Sequence, residues 1–241
     1  MISRPHTAYF DASGKKEATV ITVCGFVSDV RRWSAFDKEW ESALASQSFD
    51  CFHMTDFVAK RPPFDKIALN PAKRDKWFQK LVAIGLRRTV SSFACMVPMN
   101  DYVSANRAYQ LDEWFGGPYA LAGFGCAVKL QRWANRTEVD HLEVFFEDGD
   151  DGKGELDKLL RERLNIKPVF KGKRELRPFQ AADLIAWECA KFIKTAQLPI
   201  EEYVVGLRQS LLALDSGAHD WGVFPRDAIV QNCKKFGVPR R

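Results

Sequence analysis

The sequence predicts a mixed α/β fold, carried as one domain over residues 1–241. Three observations predict it. Two strand-like runs stand next to each other at the start, as a hairpin would. After them, strand-like runs alternate with stretches of helical spacing. Hydrophobic residues make up 46% of the chain and aromatics 12%, enough for a sizeable core and too many for a disordered chain.

Thr7–Asp11 reads as a short strand ending in an acid, and residues 12–16, Ala-Ser-Gly-Lys-Lys, read as a turn. Ala18–Val27 is rich in β-branched residues and reads as a second strand antiparallel to the first. From Arg31 to Ser46, Trp33, Phe36, Trp40 and Leu44 recur every three or four residues, the period of a helix with one apolar face. Phe52–Phe57 is a short block closed by the loop Lys60-Arg61-Pro62-Pro63. Asn70 caps a helix with Pro71 at its first position, running to about Arg88. Val90–Val97 reads as a buried strand, followed by helices near Asp101–Arg107 and Tyr119–Trp133.

Leu142–Asp148 reads as a central strand ending in acids. A loop over 149–154, a helix over Glu155–Leu164, a short strand over Pro168–Lys171 and a long helix over Pro178–Lys194 follow. The tail, about 200–241, reads as helical with a loop near 216–222. The helical stretches at about 30–50 and 70–135 read as insertions into the domain.

The net charge of +5 is mildly basic: it permits a polyanionic partner without demanding one. The six cysteines, Cys24, Cys51, Cys95, Cys126, Cys189 and Cys233, are widely spaced, and most sit in apolar runs. That pattern predicts buried free thiols in a reducing compartment rather than a disulfide framework or a zinc site. No apolar h-region follows Arg4, and no apolar run approaches the roughly 18 residues of a membrane span. The expectation is a soluble, cytoplasmic protein that binds no membrane.

Three groups of acids stand out. Asp11 ends the first strand, Glu147 and Asp148 end the central one, and strand ends of α/β sheets are where functional groups gather. Asp183 sits in the last long helix, where Phe179, Ala182, Ala186 and Ala190 make one apolar face. Asp183 falls on or at the border of that face, where a bare carboxylate is costly unless it is paired or bound to a metal. Taken singly, each acid also fits a bland reading: strand ends carry Asp because turns follow, and helical acids usually face solvent.

Taken together, the residues resemble a bacterial family, the "domain of unknown function 3800" proteins. Tyr9-Phe10-Asp11-Ala12-Ser13-Gly14 is similar to that family's opening Asp-Glu-Ser-Gly strand. Phe52–Phe57 is similar to its second block, and Phe145–Gly149 to its acidic fourth strand. Pro178–Ala186 is similar to its closing Leu-Gln-x-Ala-Asp-Leu helix. The matches span about residues 7–195, and the first and last are the more specific.

The resemblance implies a ribonuclease-H-like mixed sheet, with antiparallel opening strands and parallel later ones, flanked by helices. It also implies catalytic acids at Asp11, at Glu147 or Asp148, and at Asp183. One position departs: the family's Glu after the first Asp is Ala12 here, so if that Glu helps to bind metal this chain has lost a ligand and would either be weaker or use Asp148, Asp150 or Asp56 instead.

Carboxylate oxygens of this kind suit Mg²⁺ or Mn²⁺. Two ions about 3.5–4 Å apart would activate water and stabilise the leaving oxygen of a phosphodiester. Asp11 would bridge the ions, with Glu147 and Asp183 flanking it. Ser13 would contact a phosphate or a ligand water, and Gln180, about one turn before Asp183, would orient it. His53, close to Asp56, is the one histidine of interest. Lys171, Lys173, Arg174 and Arg177, just before the Asp183 helix, would hold a phosphate backbone; a solvated charged hairpin explains them as well.

Other motifs fall away. The acidic, glycine-rich run 147–154 lacks P-loop spacing, and counted from Asp148 it places Gly152 and Leu159 where an EF-hand needs acids. No GxSxG elbow or HExxH occurs. The expected function is a divalent-metal-dependent nuclease. The alternatives are a non-catalytic nucleic-acid-binding or interaction protein on the same fold, and a metal-dependent phosphohydrolase of small nucleotides.

Overall fold

The computed structural model describes residues 5–14, 18–195 and 219–241. Its strands are β1 (His6–Ser13), β2 (Val20–Asp29), β3 (Ser91–Pro98), β4 (Leu142–Glu147), β5 (Val169–Lys171) and β6 (His219–Val223). Its helices are α1 (Val30–Ala45), α2 (Met54–Val58), α3 (Asp65–Ala68), α4 (Pro71–Arg88) and α5 (Met99–Asn106). They continue with α6 (Leu111–Phe115), α7 (Pro118–Arg136), α8 (Lys153–Leu164), α9 (Pro178–Thr195) and α10 (Arg226–Phe236).

The described strands form one mixed sheet in the order β5-β4-β1-β2-β3-β6. β1, β2 and β3 run antiparallel, while β4 lies parallel to β1, β5 to β4 and β6 to β3. This is the ribonuclease-H-like arrangement expected, with helices on both faces and one more strand beyond β3.

Strand alternation divides the apolar residues into two cores. On one face Ala8, Phe10, Val23, Phe93, Val144 and Phe146 pack with α7 and α8. On the other, Cys24, Phe26, Ala94 and Met96 pack with α1, α4 and α9, and Tyr9 joins them. Every residue of β2 is buried, as a central strand covered on both faces requires. Gly25 marks where β1 comes closest: a Cβ there would lie 2.2 Å from the Tyr9 carbonyl oxygen and 2.4 Å from the Phe10 ring.

Local signals explain the helix starts. The Asp29 side chain accepts from the backbone N–H groups of Arg31 and Arg32, capping α1. Asn70 accepts from Lys73 N–H at 3.0 Å and Pro71 opens α4, as its sequence predicts.

Two local expectations are corrected. The turn expected at 12–16 begins later, because Ala12 and Ser13 continue the β1–β2 ladder opposite Val23 and Thr22; residues 15–17 lie outside the described residues. The loop expected near 216–222 is strand β6 over its described part. His-Asp-Trp-Gly-Val has little strand character alone and is held by pairing along β3, with Trp221 Nε1 donating to Ser92 Oγ at 2.8 Å. Residues 226–236 of the expected helical tail are helix α10, while its part from 200 to 218 lies outside the described residues. The short helices α2, α3 and α6 were not expected.

All six cysteines are free, and all but half-buried Cys51 are buried. Among the described residues, no helix is long and apolar enough to cross a membrane.

Candidate metal centre

The parallel pairing of β1 with β4 builds the centre. Tyr9 stacks on Phe145 and Phe10 on Phe146, each at 5.1 Å between ring centroids. One residue beyond the last pair, Phe10 with Phe146, come Asp11 and Glu147. Alternation puts these two acids on the α9 face, together with Tyr9, whose ring meets Phe179 of α9 edge-on at 5.5 Å. After β4 the chain bends through Gly149, at φ 120°, where a side chain would be strained. The bend returns Asp150 to the cluster. Carboxylate oxygens of Asp11, Glu147 and Asp150 then lie within 4.8 Å of one another, close enough to share one ion.

A lysine stands among the acids. Lys173, in the turn between β5 and α9, places its Nζ 3.1 Å from Asp11 Oδ2, 3.6 Å from Glu147 Oε1 and 3.6 Å from Asp183 Oδ1. Burial pulls the Lys173 ammonium down, but Asp11, Asp183 and Glu147 together outweigh it, so its pKa is raised. Burial is also the largest influence on Asp11 and pushes its carboxyl well above the usual range. Lys173 pulls it back, and Asp183 and Glu147 push it further up. Buried Tyr119 of α7 shows the same field: burial first, then Asp150, Asp11, Glu147 and Asp148, raise the pKa of its hydroxyl.

Each acid is positioned from the backbone. Asp11 Oδ1 accepts from Ala12 N–H at 2.6 Å. Asp183 Oδ2 accepts from Met54 N–H at 2.7 Å, so the start of α2 is pinned to α9. Gln180 does not bond Asp183 as expected. Its Oε1 accepts from Trp40 Nε1 and Phe52 N–H, both at 2.9 Å, and its Nε2 donates to the Lys173 carbonyl at 3.1 Å. It therefore fixes α1, the 52–54 segment and the Lys173 turn around the site.

The remaining expected site residues fall elsewhere. Asp148, next along from Glu147, points away from the cluster and pairs with Lys153 Nζ at 2.7 Å with its side chain 48% exposed. Ser13 ends β1, half-buried and paired across to Thr22. His53, at the N-cap of α2, and Asp56, in its first turn, bond each other at 2.8 Å, and Asp56 also meets Arg61. The basic run is dispersed: Lys171 pairs with Glu175, Arg177 with Glu41, Lys173 with the acids, and Arg174 is exposed, with its charge felt at Cys51. Sequence spacing treated the four as one cluster, but a turn sends neighbouring side chains in different directions.

Ala12 lies on the opposite face, packed against the α7-side core. The departure at that position removes nothing from the face that holds Asp11 and Glu147. The Lys173 contact was the feature that sequence reasoning missed. Its only signal was a lysine in a short turn directly before the helix bearing Asp183.

All the converging donors are hard carboxylate oxygens, and the most central of them, Asp11, is buried among other acids. Such a set could hold a metal ion, and oxygen donors suit hard cations better than soft ones. A scan against protein-family models gives no match to this chain, and a search of curated proteins gives none either.

Proposed function

We propose that this protein is a divalent-metal-dependent nuclease of the cytoplasm, related to the domain of unknown function 3800 proteins. The observation that carries the reading is the convergence of Asp11, Glu147 and Asp150 from separate segments at the end of a mixed sheet. Acids gathered in this way, with Asp183 beside them, repel one another, and the one charge of Lys173 leaves negative charge that a bound cation would balance.

Asp11, Glu147 and Asp150 would hold Mg²⁺ or Mn²⁺. When bound, such an ion polarises the phosphoryl oxygen and lowers the pKa of water. The chain's own residues supply the framework. The Ala12 N–H orients Asp11, the Met54 N–H fixes Asp183, and Lys173 offers an ammonium for a phosphate oxygen. Hydrolysis adds water across one phosphorus–oxygen bond, giving a phosphomonoester and an alcohol. The mildly basic chain, at +5, tolerates a polyanionic substrate.

The test is purified protein with Mg²⁺ or Mn²⁺ and labelled DNA, RNA and hybrid, alongside the Asp11→Asn variant. Metal-dependent cleavage by the wild type and none by the variant supports the reading. Tight binding without cleavage points instead to a non-catalytic nucleic-acid-binding protein, and turnover of small nucleotides with intact polymers points to a phosphohydrolase. Equal cleavage by both proteins defeats the assignment.

A further inference from the structure

Lys173 is the one cation inside the acid cluster among the described residues, and its setting is built. Its side chain is only 17% exposed. Its carbonyl oxygen accepts from Gln180 Nε2, and Gln180 is itself 1% exposed and bonded to Trp40 and Phe52. The ammonium stands between Asp11 of β1 and Asp183 of α9, with Glu147 at the same distance as Asp183.

The oxygens confirm how the space is divided. Asp11 and Asp183 each turn one oxygen to a backbone N–H and the other toward Lys173. The group of acids able to share an ion is Asp11, Glu147 and Asp150, and it leaves out Asp183. Two cation positions therefore adjoin at Asp11 and Glu147. One is marked by Asp11, Glu147 and Asp150, with the Lys173 ammonium at its border. The other is filled by an ammonium, and a divalent ion brought in beside it would meet like charge at close range in a poorly solvated site.

We propose that Lys173 is the resident cation of the second position, so that the centre takes one divalent ion rather than two, and a substrate phosphate meets the ammonium next to that ion. The proposal rests on the metal-centre reading above. It differs from the two-ion expectation because a side chain supplies the second positive charge, fixed in place without any ion having to bind.

Two measurements test it on the full chain with Mn²⁺ as probe. The first is stoichiometry, by equilibrium dialysis or by the electron paramagnetic resonance of free Mn²⁺, for the wild type and Lys173→Met. The expected result is one ion per chain in the wild type and two in the variant, whose second position is vacated. Two ions in the wild type, or one or fewer in a variant whose wild type binds one, overturns the assignment of Lys173 while leaving the metal centre standing. No uptake by either protein overturns the metal-centre reading, and this inference with it.

The second measurement needs no variant. Amine acylation of the folded wild type, read by mass spectrometry, is compared with and without saturating Mn²⁺. Lys171, two residues away and 47% exposed, is the internal reference. A resident ammonium stays slow to acylate in both states. A rise at Lys173 on adding Mn²⁺ means that the ion expels it, and overturns the proposal.

Discussion

At the scale of single residues, Asp11 has most to lose. It is buried, touches Lys173, and is shared by every grouping of acids in the centre. Asp11→Asn keeps the shape but removes a charge and one possible metal ligand. Changes in the outer shell of metal sites typically cost about 10–100-fold in activity or affinity. A change to a ligand itself should lie at or beyond the upper end, read as the Mn²⁺ dissociation constant and the rate of metal-dependent cleavage. Gln180 has a different role. Gln180→Leu strips the partner from two buried donors, Trp40 Nε1 and Phe52 N–H. At about 1–3 kcal/mol for each orphaned group, urea unfolding should show a loss of roughly 2–6 kcal/mol. A loss below about 1 kcal/mol would mean that water replaces both bonds.

At the scale of elements, α1 and α4 are tied by a charged fork. Glu39 accepts from Arg87 at 2.7 Å and from Arg88 at 2.5 Å. Hydrogen bonds from Arg88, then Arg87, hold the Glu39 carboxyl at about 2, below its usual 4.5. A depressed carboxylate adds stability that is present above its unfolded pKa and is lost as pH falls through the folded one. The pair is partly exposed, so Glu39→Gln should cost only about 0.5–1 kcal/mol at neutral pH. The gap between variant and wild type should shrink as pH falls from about 4.5 toward 2, in denaturation series at fixed salt. A gap independent of pH would remove the ion pair as its source. The β1–β2 ladder offers a steric counterpart. Gly25→Ala puts a methyl within 2.4 Å of Phe10 and closer still to a backbone oxygen, so the strands must separate locally. Overpacking of this kind costs about 1–3 kcal/mol, read as a lower midpoint of thermal unfolding.

At the scale of the molecule, the centre joins parts of the chain that are far apart. β1, the end of β4 with its loop, the turn before α9 and α9 itself all send a side chain there. A cation that binds only this assembled state must stabilise the whole fold. At a concentration 100 times its dissociation constant, it adds about 2.7 kcal/mol. Wild-type protein should therefore unfold several degrees higher in Mn²⁺ than in chelator, and Asp11→Asn should lose most of that rise. An equal rise in both proteins would place the bound ion elsewhere.

The sequence by itself determined the class of fold and most of its elements. Periodicity and end signals are local: the apolar spacing of α1, the Asn70–Pro71 start of α4 and the β-branched run of β2 each act within a few residues. It also pointed to Asp11 and Glu147 as acids at strand ends and to Asp183 as an acid at an apolar helix face, where a bare carboxylate is costly. Tertiary structure alone decided which acids meet. The side-chain alternation of β4 and the bend at Gly149 brought in Glu147 and Asp150 and turned Asp148 outward, toward Lys153. It also made β6 a strand by pairing with β3, and drew Lys173 out of an apparent basic cluster into an acidic one. The physical reason is the same throughout. Which elements form depends on short-range backbone and patterning preferences, whereas which charges become neighbours depends on how distant segments pack. A lysine's partner is set by the burial it is given there, and that is written in no short stretch of chain.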